Sequence, residues 1–542
     1  MTSKASIRPY LNQAYLLGLL MVAVGLTLSP FLMGMSQFWL VIVWFVDALT
    51  PPFKGAGGIK TKLSRFFHNK AAVLLVAFYL MHVVGLLWTS DFQYALKDLR
   101  VKLPILVMPF VLSSMEPLDR KRFNIVMLIY VLSVFIATQF SFIRYMQHNY
   151  EDIREISHFI SHIRFCLNIV FCIAIIGWYL YNRAVKSPVP TFGIKTAIDR
   201  FLLWFLLLWF IYQIYIFESL SGYVILAAVV IASAVYAFLQ WKKGRGWRIA
   251  IGLFAVGAIA AVVAVGMSAV KPLIEVKPVD FNSLEKKTAQ GNYYWHDTVC
   301  FPVEDGKYVG LYFNRNELRE AWSMRSNMPF EGTTTNGENL ETTLARYLTS
   351  KDLRKDAEGV MALTDEDIRN IEQGVANYNN WKHPGIHARL SSTLFEYNLY
   401  RRFNNPNGGS LAQRIEFTRA SLHIIKQYPW FGVGTGDVPQ AFAQTYDEIR
   451  SPLKEEFRFR AHNQYLAIAV AFGLVGLAFF LFVLLYPWFA SKRNHTYLYM
   501  VFLVIILLSM FPEDTLETQA GATLFAFFVS LLLFASPASR QG

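Results

Sequence analysis

The chain is poor in cysteine, in acidic residues and in charge altogether. Three cysteines in 542 residues exclude a disulfide scaffold, because Cys166 and Cys172 share one apolar run and only Cys300 falls in the large polar segment. That segment must therefore fold by packing, or against the membrane block. Charged residues make up 16% of the chain, well below the roughly 25% usual for a soluble domain. Asp and Glu number 38 against 51 Lys and Arg, a net charge of +13. No internal repeat and no low-complexity run is present. No HExxH pattern accompanies the histidines, and Gly432-Val-Gly-Thr-Gly436 has neither the GxGxxG spacing nor the following Lys of a phosphate-binding loop.

What is abundant is apolar surface: 54% hydrophobic residues, 16% aromatic and a mean hydropathy of +0.33. These values describe an all-α polytopic membrane protein. Apolar runs fill residues 1–270, residues 271–461 are polar, and residues 462–542 are apolar again. We expect about twelve transmembrane helices, nine before a large, mainly helical insert and three after it. The span over Leu103–Met115 is short and carries Pro104 and Pro109, so it is kinked, tilted or only partly inserted. Ser29-Pro30, between the first two spans, reads as a tight turn or as a break in one longer element.

Lys and Arg are concentrated in alternate connections, notably Lys54–Lys70, Arg183–Arg200 and Lys242–Arg248. By the positive-inside rule both termini are cytoplasmic and the insert faces outward. The insert itself is close to neutral, so the basic excess belongs to the membrane blocks and gives no reason to invoke nucleic acid. Within the insert, Thr364 with Asp367 reads as a capping pair ahead of Ile368, Ile371 and Val375. Ser410 with Gln413 reads as a capping box ahead of Ile415, Leu422 and Ile425. Asp437 is placed to cap the next helix.

Functional residues gather beside the second membrane block. Arg458-Phe-Arg-Ala-His-Asn-Gln-Tyr465 sets Arg458, Arg460 and His462 against the start of an uncharged run from Asn463 to Tyr486. A titratable group at a membrane mouth is a functional candidate by default, although interfacial anchoring is the competing reading, and the stronger one for Arg100. If residues 458–462 are helical, Arg458 shares a face with His462 and keeps its imidazole neutral. His158 and His162, four apart, read as polar interface residues rather than a metal pair. The Gly432, Gly434 and Gly436 turn reads as a hinge sooner than as an anion cradle. Tyr293, Tyr294 and Trp295 read as core sooner than as a sugar platform.

Four segments in order carry a resemblance: Arg414-Ile-Glu-Phe-Thr-Arg-Ala-Ser, Tyr428-Pro-Trp-Phe-Gly-Val-Gly-Thr-Gly436, Arg458–Tyr465 and Gly473-Leu-Val-Gly-Leu477. Together they resemble the O-antigen ligase and polymerase superfamily of bacterial membrane glycosyltransferases, and Thr343–Asp356 resembles the Bacteroidetes-type branch. The resemblance implies transfer of a glycan from undecaprenyl diphosphate to an acceptor hydroxyl at the periplasmic face of the inner membrane. The acceptor is the lipid A core for a ligase, another glycan for a polymerase, or a protein for an O-oligosaccharyltransferase. A glycolipid transporter remains the alternative from another class. The resemblance implies no metal and no cofactor. It makes His462 the base, Arg414 a diphosphate ligand, and Asn463 with the three glycines supporting residues. It departs at Glu218-Ser-Leu-Ser-Gly222, where Leu220 stands in place of a family arginine. Arg164 is the first candidate to replace it, with Arg100 and Arg460 behind; Arg458 stands with them only as a general diphosphate-binding candidate.

Overall fold

The computed structural model describes residues 7–50, 58–147, 153–185, 196–240, 278–407, 409–490 and 496–537, with scattered positions between 252 and 276. It is mostly helical, and among the described residues strand is confined to a two-stranded antiparallel ribbon, β1 (Val303–Glu304) with β2 (Lys307–Tyr308). Among the described residues, eight helices are long and apolar enough to cross a membrane, and two shorter apolar helices accompany them. The ninth expected span, Ile249–Val270, lies largely outside the described residues. The chain packs as two compact units. The first comprises residues 1–255, 417–451 and 458–542, and the second residues 256–416 and 452–457. Hydropathy had placed boundaries at 270 and 461, whereas packing places 417–451 with the apolar helices.

In the first unit, α1 (Arg8–Leu28) and α2 (Pro30–Leu49) are separate helices joined at Ser29. Ser29 is extended (φ −158°), its hydroxyl accepts from the Leu32 N–H, and Pro30 occupies the first helical position, where a missing N–H costs nothing. Next come α3 (Ile59–His68), α4 (Lys70–Val84) with a 3₁₀ turn to Trp88, and α5 (Phe92–Ser114). α5 starts well before the expected Leu103 because Asp91 caps it, accepting from the Tyr94 N–H at 2.9 Å. That polar first half carries Asp98 and Lys102 on one face. Pro104 and Pro109 remain inside the helix, and both are buried.

α6 (Arg120–Gln147), α7 (His162–Val185), α8 (Thr196–Phe217) and α9 (Leu220–Gln240) complete the run before the insert. After it come α17 (Val438–Glu448), α18 (Gln464–Ala490), α19 (Tyr497–Ser509) and α20 (Gln519–Ser530), the last ending in a π turn to Ala535. α18 is broken at Gly473 (φ 66°, ψ −168°), and the 429–434 loop fills the break. Val433 and Gly434 N–H donate to the Val470 and Ala471 carbonyls at 3.0 and 2.9 Å, and Leu474 N–H donates to the Pro429 carbonyl at 2.7 Å. Backbone freed inside an apolar layer must find protein partners, and here two chain segments satisfy each other. A Cβ on Gly473 would lie 2.3 Å from the Trp430 backbone, and one on Gly432 2.4 Å from Ala471. Glycine at both positions follows from this approach as much as from the positive φ of each.

The second unit holds α10 (Arg315–Arg325), α11 (Leu340–Ser350), α12 (Ala357–Met361), α13 (Asp365–Glu372), α14 (Tyr378–Lys382), α15 (Ile386–Phe403) and the start of α16 (Ser410–Gln427). Its core is Phe313 from an extended segment, with Leu318, Trp322, Leu344, Tyr347, Leu348 and Ile371 from helix faces at three- and four-residue spacing. Thr364 and Asp367 form a complete capping box, and Asp367 also accepts from Tyr347 Oη and Lys351 Nζ, each at 2.7 Å. α16 begins at Ser410 itself, with the Gly409 carbonyl accepting from the Gln413 N–H, so Ser410 is the first helical residue rather than the cap. Tyr294 is buried against Asp356, whereas Tyr293 and Trp295 are 71% and 54% exposed. The segment is extended, with ladder contacts to Lys287 and Phe313, so alternate side chains face opposite ways.

Candidate functional site

His462 sits in a non-helical turn, two residues ahead of α18, with a left-handed backbone (φ 45°). The expected helical register with Arg458 is therefore absent. Arg458 instead reaches Asp447 at 2.8 Å and lies over the Tyr446 ring. The imidazole packs near the rings of Phe417 and Phe459, with centroids at 5.4 and 6.1 Å. Its Nδ1 faces Asp514 Oδ1 at 4.0 Å, within ion-pair reach but longer than a hydrogen bond. Left-handed backbone at a non-glycine residue is uncommon and turns up at functional positions.

Neighbouring groups hold that turn in place. Asn463 caps α18, accepting from the Leu466 N–H at 3.0 Å, and donates to the Phe511 carbonyl at 3.0 Å. Gln464 is fully buried: its backbone N–H donates to Met510, its side-chain oxygen accepts from the Leu516 N–H, and its amide donates to Glu517 at 3.1 Å. The loop Phe511-Pro-Glu-Asp-Thr-Leu-Glu517 thereby becomes the floor of the site.

Three basic residues converge on that acidic loop. Arg164, at the start of α7, is 3.7 Å from Glu513 and donates to Ser161 Oγ, while its buried Nε has no partner. Arg460 contacts Asp514 at 3.4 Å and Glu517 at 3.2 Å and donates to Tyr94 Oη at 2.9 Å. Lys102 bridges Glu517 at 2.7 Å and Asp98 at 2.5 Å. A cavity of about 20 Å³ lies among His82, Tyr94, Asp98, Lys102, Arg460 and Glu517, room for one water.

Burial alone would push the Glu517 carboxyl up, but the Lys102 ammonium and Arg460 guanidinium outweigh it and hold Glu517 well below the usual carboxylate range. Asp514 is raised: burial dominates, Arg460 opposes it and Glu517 reinforces it. The Arg460 guanidinium is held firmly charged, because its acidic neighbours, Glu517 foremost, exceed the burial term.

The remaining sequence candidates fall elsewhere. Arg100 is exposed on α5 and joins none of these ion pairs among the described residues. Arg414 is half-buried in α16 and belongs to the second unit. Two amides of the glycine turn are committed to α18 as described, and the Gly436 N–H donates to Thr89 Oγ1 at 3.1 Å. These amides serve backbone packing. Asp437 does not cap α17 through its side chain. Its carboxylate accepts from Ser90 and Asp91 N–H and from Ser90 Oγ, at 2.8 to 3.0 Å. His162 Nε2 meets the Phe217 carbonyl at 2.7 Å and His158 Nδ1 meets Arg144 at 3.3 Å, so the two histidines serve separate contacts.

Sequence reasoning missed Glu513, Asp514 and Glu517. The signal was available, since three carboxylates in five residues stand between two strongly apolar segments. His462, Glu513 and Asp514 have candidate ligand atoms within 4.8 Å of one another, close enough to hold a metal ion. Both carboxylates already face arginines, which lowers their appeal to a cation.

No curated protein matches the chain. Residues 385–481 match the model of the family described as O-Antigen ligase. That stretch contains Arg414, the glycine turn, Arg458–Tyr465 and the Gly473 break, and the match supports a relation to the O-antigen ligase superfamily.

Proposed function

We propose that the protein is a membrane glycosyltransferase of the O-antigen ligase type. It moves a glycan from undecaprenyl diphosphate onto a hydroxyl of the lipid A core, at the periplasmic face of the inner membrane, with both chain termini cytoplasmic. The observation that carries this reading is His462 beside Asp514 and Arg460, in the stretch that matches the ligase family.

A sugar C1 bonded to diphosphate already has a good leaving group. Transfer then needs a base for the acceptor hydroxyl and positive charge at the departing phosphate. The acceptor oxygen attacks C1, its proton passes to His462, the C1–O bond to the diphosphate breaks, and undecaprenyl diphosphate leaves with that electron pair. With Nδ1 toward Asp514, the carboxylate stabilises the imidazolium as it forms. Arg164 and Arg460 hold the diphosphate through N–H groups not committed to the acidic loop, their forks matching phosphate oxygens. Arg414 is a further diphosphate candidate by resemblance alone. No metal or cofactor takes part.

A deletion strain tests the substrate. Bare core with accumulated lipid-linked polymer, seen on a lipopolysaccharide gel beside an undecaprenyl-glycan extract, is the expected result. Core bearing one repeat makes the enzyme a polymerase, an unchanged ladder with altered glycoproteins makes it a protein O-oligosaccharyltransferase, and unchanged glycans of every kind sink the reading in favour of transport.

A further inference from the structure

The second unit contains a cavity of about 270 Å³ lined by Lys307, Tyr308, Tyr312, Asp352, Arg354 and Lys355, among others. This is near the lower end of small-molecule sites, roughly 300–1,000 Å³, and suits one or two sugar rings. Three of these six side chains are cationic and one is anionic. Asp352 is taken by Lys307 at 2.6 Å, and Arg354 pairs with Glu285 while its guanidinium lies over the Tyr312 ring.

Lys355 is different. It is 4% exposed, and its ammonium, a triple donor, makes one hydrogen bond, to the Leu311 carbonyl at 3.0 Å. Among the described residues no carboxylate lies within ion-pair distance of it. Burial pulls its pKa down to about 8, Lys307 adds to the fall, and Asp352 and Asp356 only partly offset it. A buried cation short of partners is costly unless an anion completes it.

The backbone around the cavity points the same way. Tyr312 (φ 55°) and Asp352 (φ 58°), both on the cavity wall, are left-handed non-glycine residues. Such conformations are costly for side chains with a Cβ and gather where a ligand is clamped. Two half-buried tyrosines supply ring surface for the apolar face of a sugar.

We infer that this cavity binds an anionic saccharide, a hexuronate or a sugar phosphate, with Lys355 meeting the charged group and Tyr308 and Tyr312 flanking the ring. The site stands on the second unit alone and does not depend on the transfer reaction.

The test is titration calorimetry on the full chain in detergent, with digalacturonate, glucose 1-phosphate, maltose and inorganic phosphate as probes. At least one acidic sugar is expected to bind about tenfold or more tighter than maltose, a difference set by the charge alone. Lys355→Met should abolish that preference while thermal stability holds or rises, because a buried ammonium is replaced by an apolar chain of similar length. Asp352→Asn, which removes the lining carboxylate, should tighten binding of the acidic probe. Tight binding of digalacturonate or of glucose 1-phosphate alone identifies the anion as carboxylate or phosphate. Equal binding of maltose and the acidic sugars, inorganic phosphate binding as tightly as either, or full affinity in a folded Lys355→Met protein would each overturn the proposal.

Discussion

Asp514 stands on the Nδ1 side of His462 at 4.0 Å while its other oxygen meets Arg460 at 3.4 Å, so one buried carboxylate addresses both the proposed base and a proposed phosphate ligand. Asp514→Asn preserves size and removes the charge that stabilises an imidazolium. Transfer should fall by about 10²–10⁴-fold, approaching the loss in His462→Ala, with protein level and membrane insertion unchanged. Asp514→Asn activity equal to wild type would remove the residue from the mechanism.

Glu517 joins Lys102, Arg460 and Gln464 in a buried network. Glu517→Gln leaves two cations short of a carboxylate and should cost about 3–5 kcal/mol of stability, read as a lowered melting temperature in detergent. The sign with pH follows from its depressed pKa: the contribution is present above the unfolded value near 4.5 and is lost as pH falls below it. A variant that melts like wild type at neutral pH would show the network to be energetically idle.

In the second unit Asp367 is held down to about 2: burial opposes this, while Lys351, Tyr347 and Thr364 favour the charged form. Its stabilisation is in place above about pH 4 and drains away between there and pH 2. The shift is equivalent to about 2 kcal/mol. Asp367→Asn should lower stability by about that amount at pH 7 and flatten the acid limb of the unfolding curve. An unchanged acid limb refutes the assignment.

Chelation tests the His462, Glu513 and Asp514 trio. With both carboxylates facing arginine, EDTA should leave transfer rates of the purified enzyme unchanged. Loss of activity restored by added divalent metal would recast His462 as a ligand instead of a base.

Gly473→Ala tests the broken helix. A methyl group there meets the Trp430 backbone, and the left-handed conformation disfavours any side chain. Reduced yield of folded protein is expected, with rescue absent in Gly432→Ala/Gly473→Ala because each new methyl meets backbone. Normal yield from the single variant would mean the two segments separate without cost.

Much of this was legible in the sequence. Apolar runs gave most of the long helices, though not the polar first half of α5, and the Thr364–Asp367 pair gave its capping box, because both signals are local. His462 was legible because a titratable group at the edge of an uncharged run has few bland explanations. Its partner was not, since Asp514 lies 52 residues downstream in a loop whose acids gain meaning only when Arg164 and Arg460 arrive from elsewhere. The register of Arg458 failed for a related reason: four-residue spacing carries information only inside a helix, and Asn463 starts that helix too late. Asp437 looked like a local cap and served Ser90 and Asp91 instead, because a carboxylate takes whichever free N–H groups the fold presents.

The loop that fills the Gly473 break also limits how this protein can be cut. Residues 429–437 sit inside the polar stretch by hydropathy, yet they supply hydrogen-bond partners to a membrane helix and to the start of α5. An engineered chain that drops everything from 271 to 461 would strip those partners from α18 and expose bare carbonyls to lipid. A shortened enzyme has to rejoin the chain ahead of Phe417, so that the wedge between the helix halves travels with the membrane block.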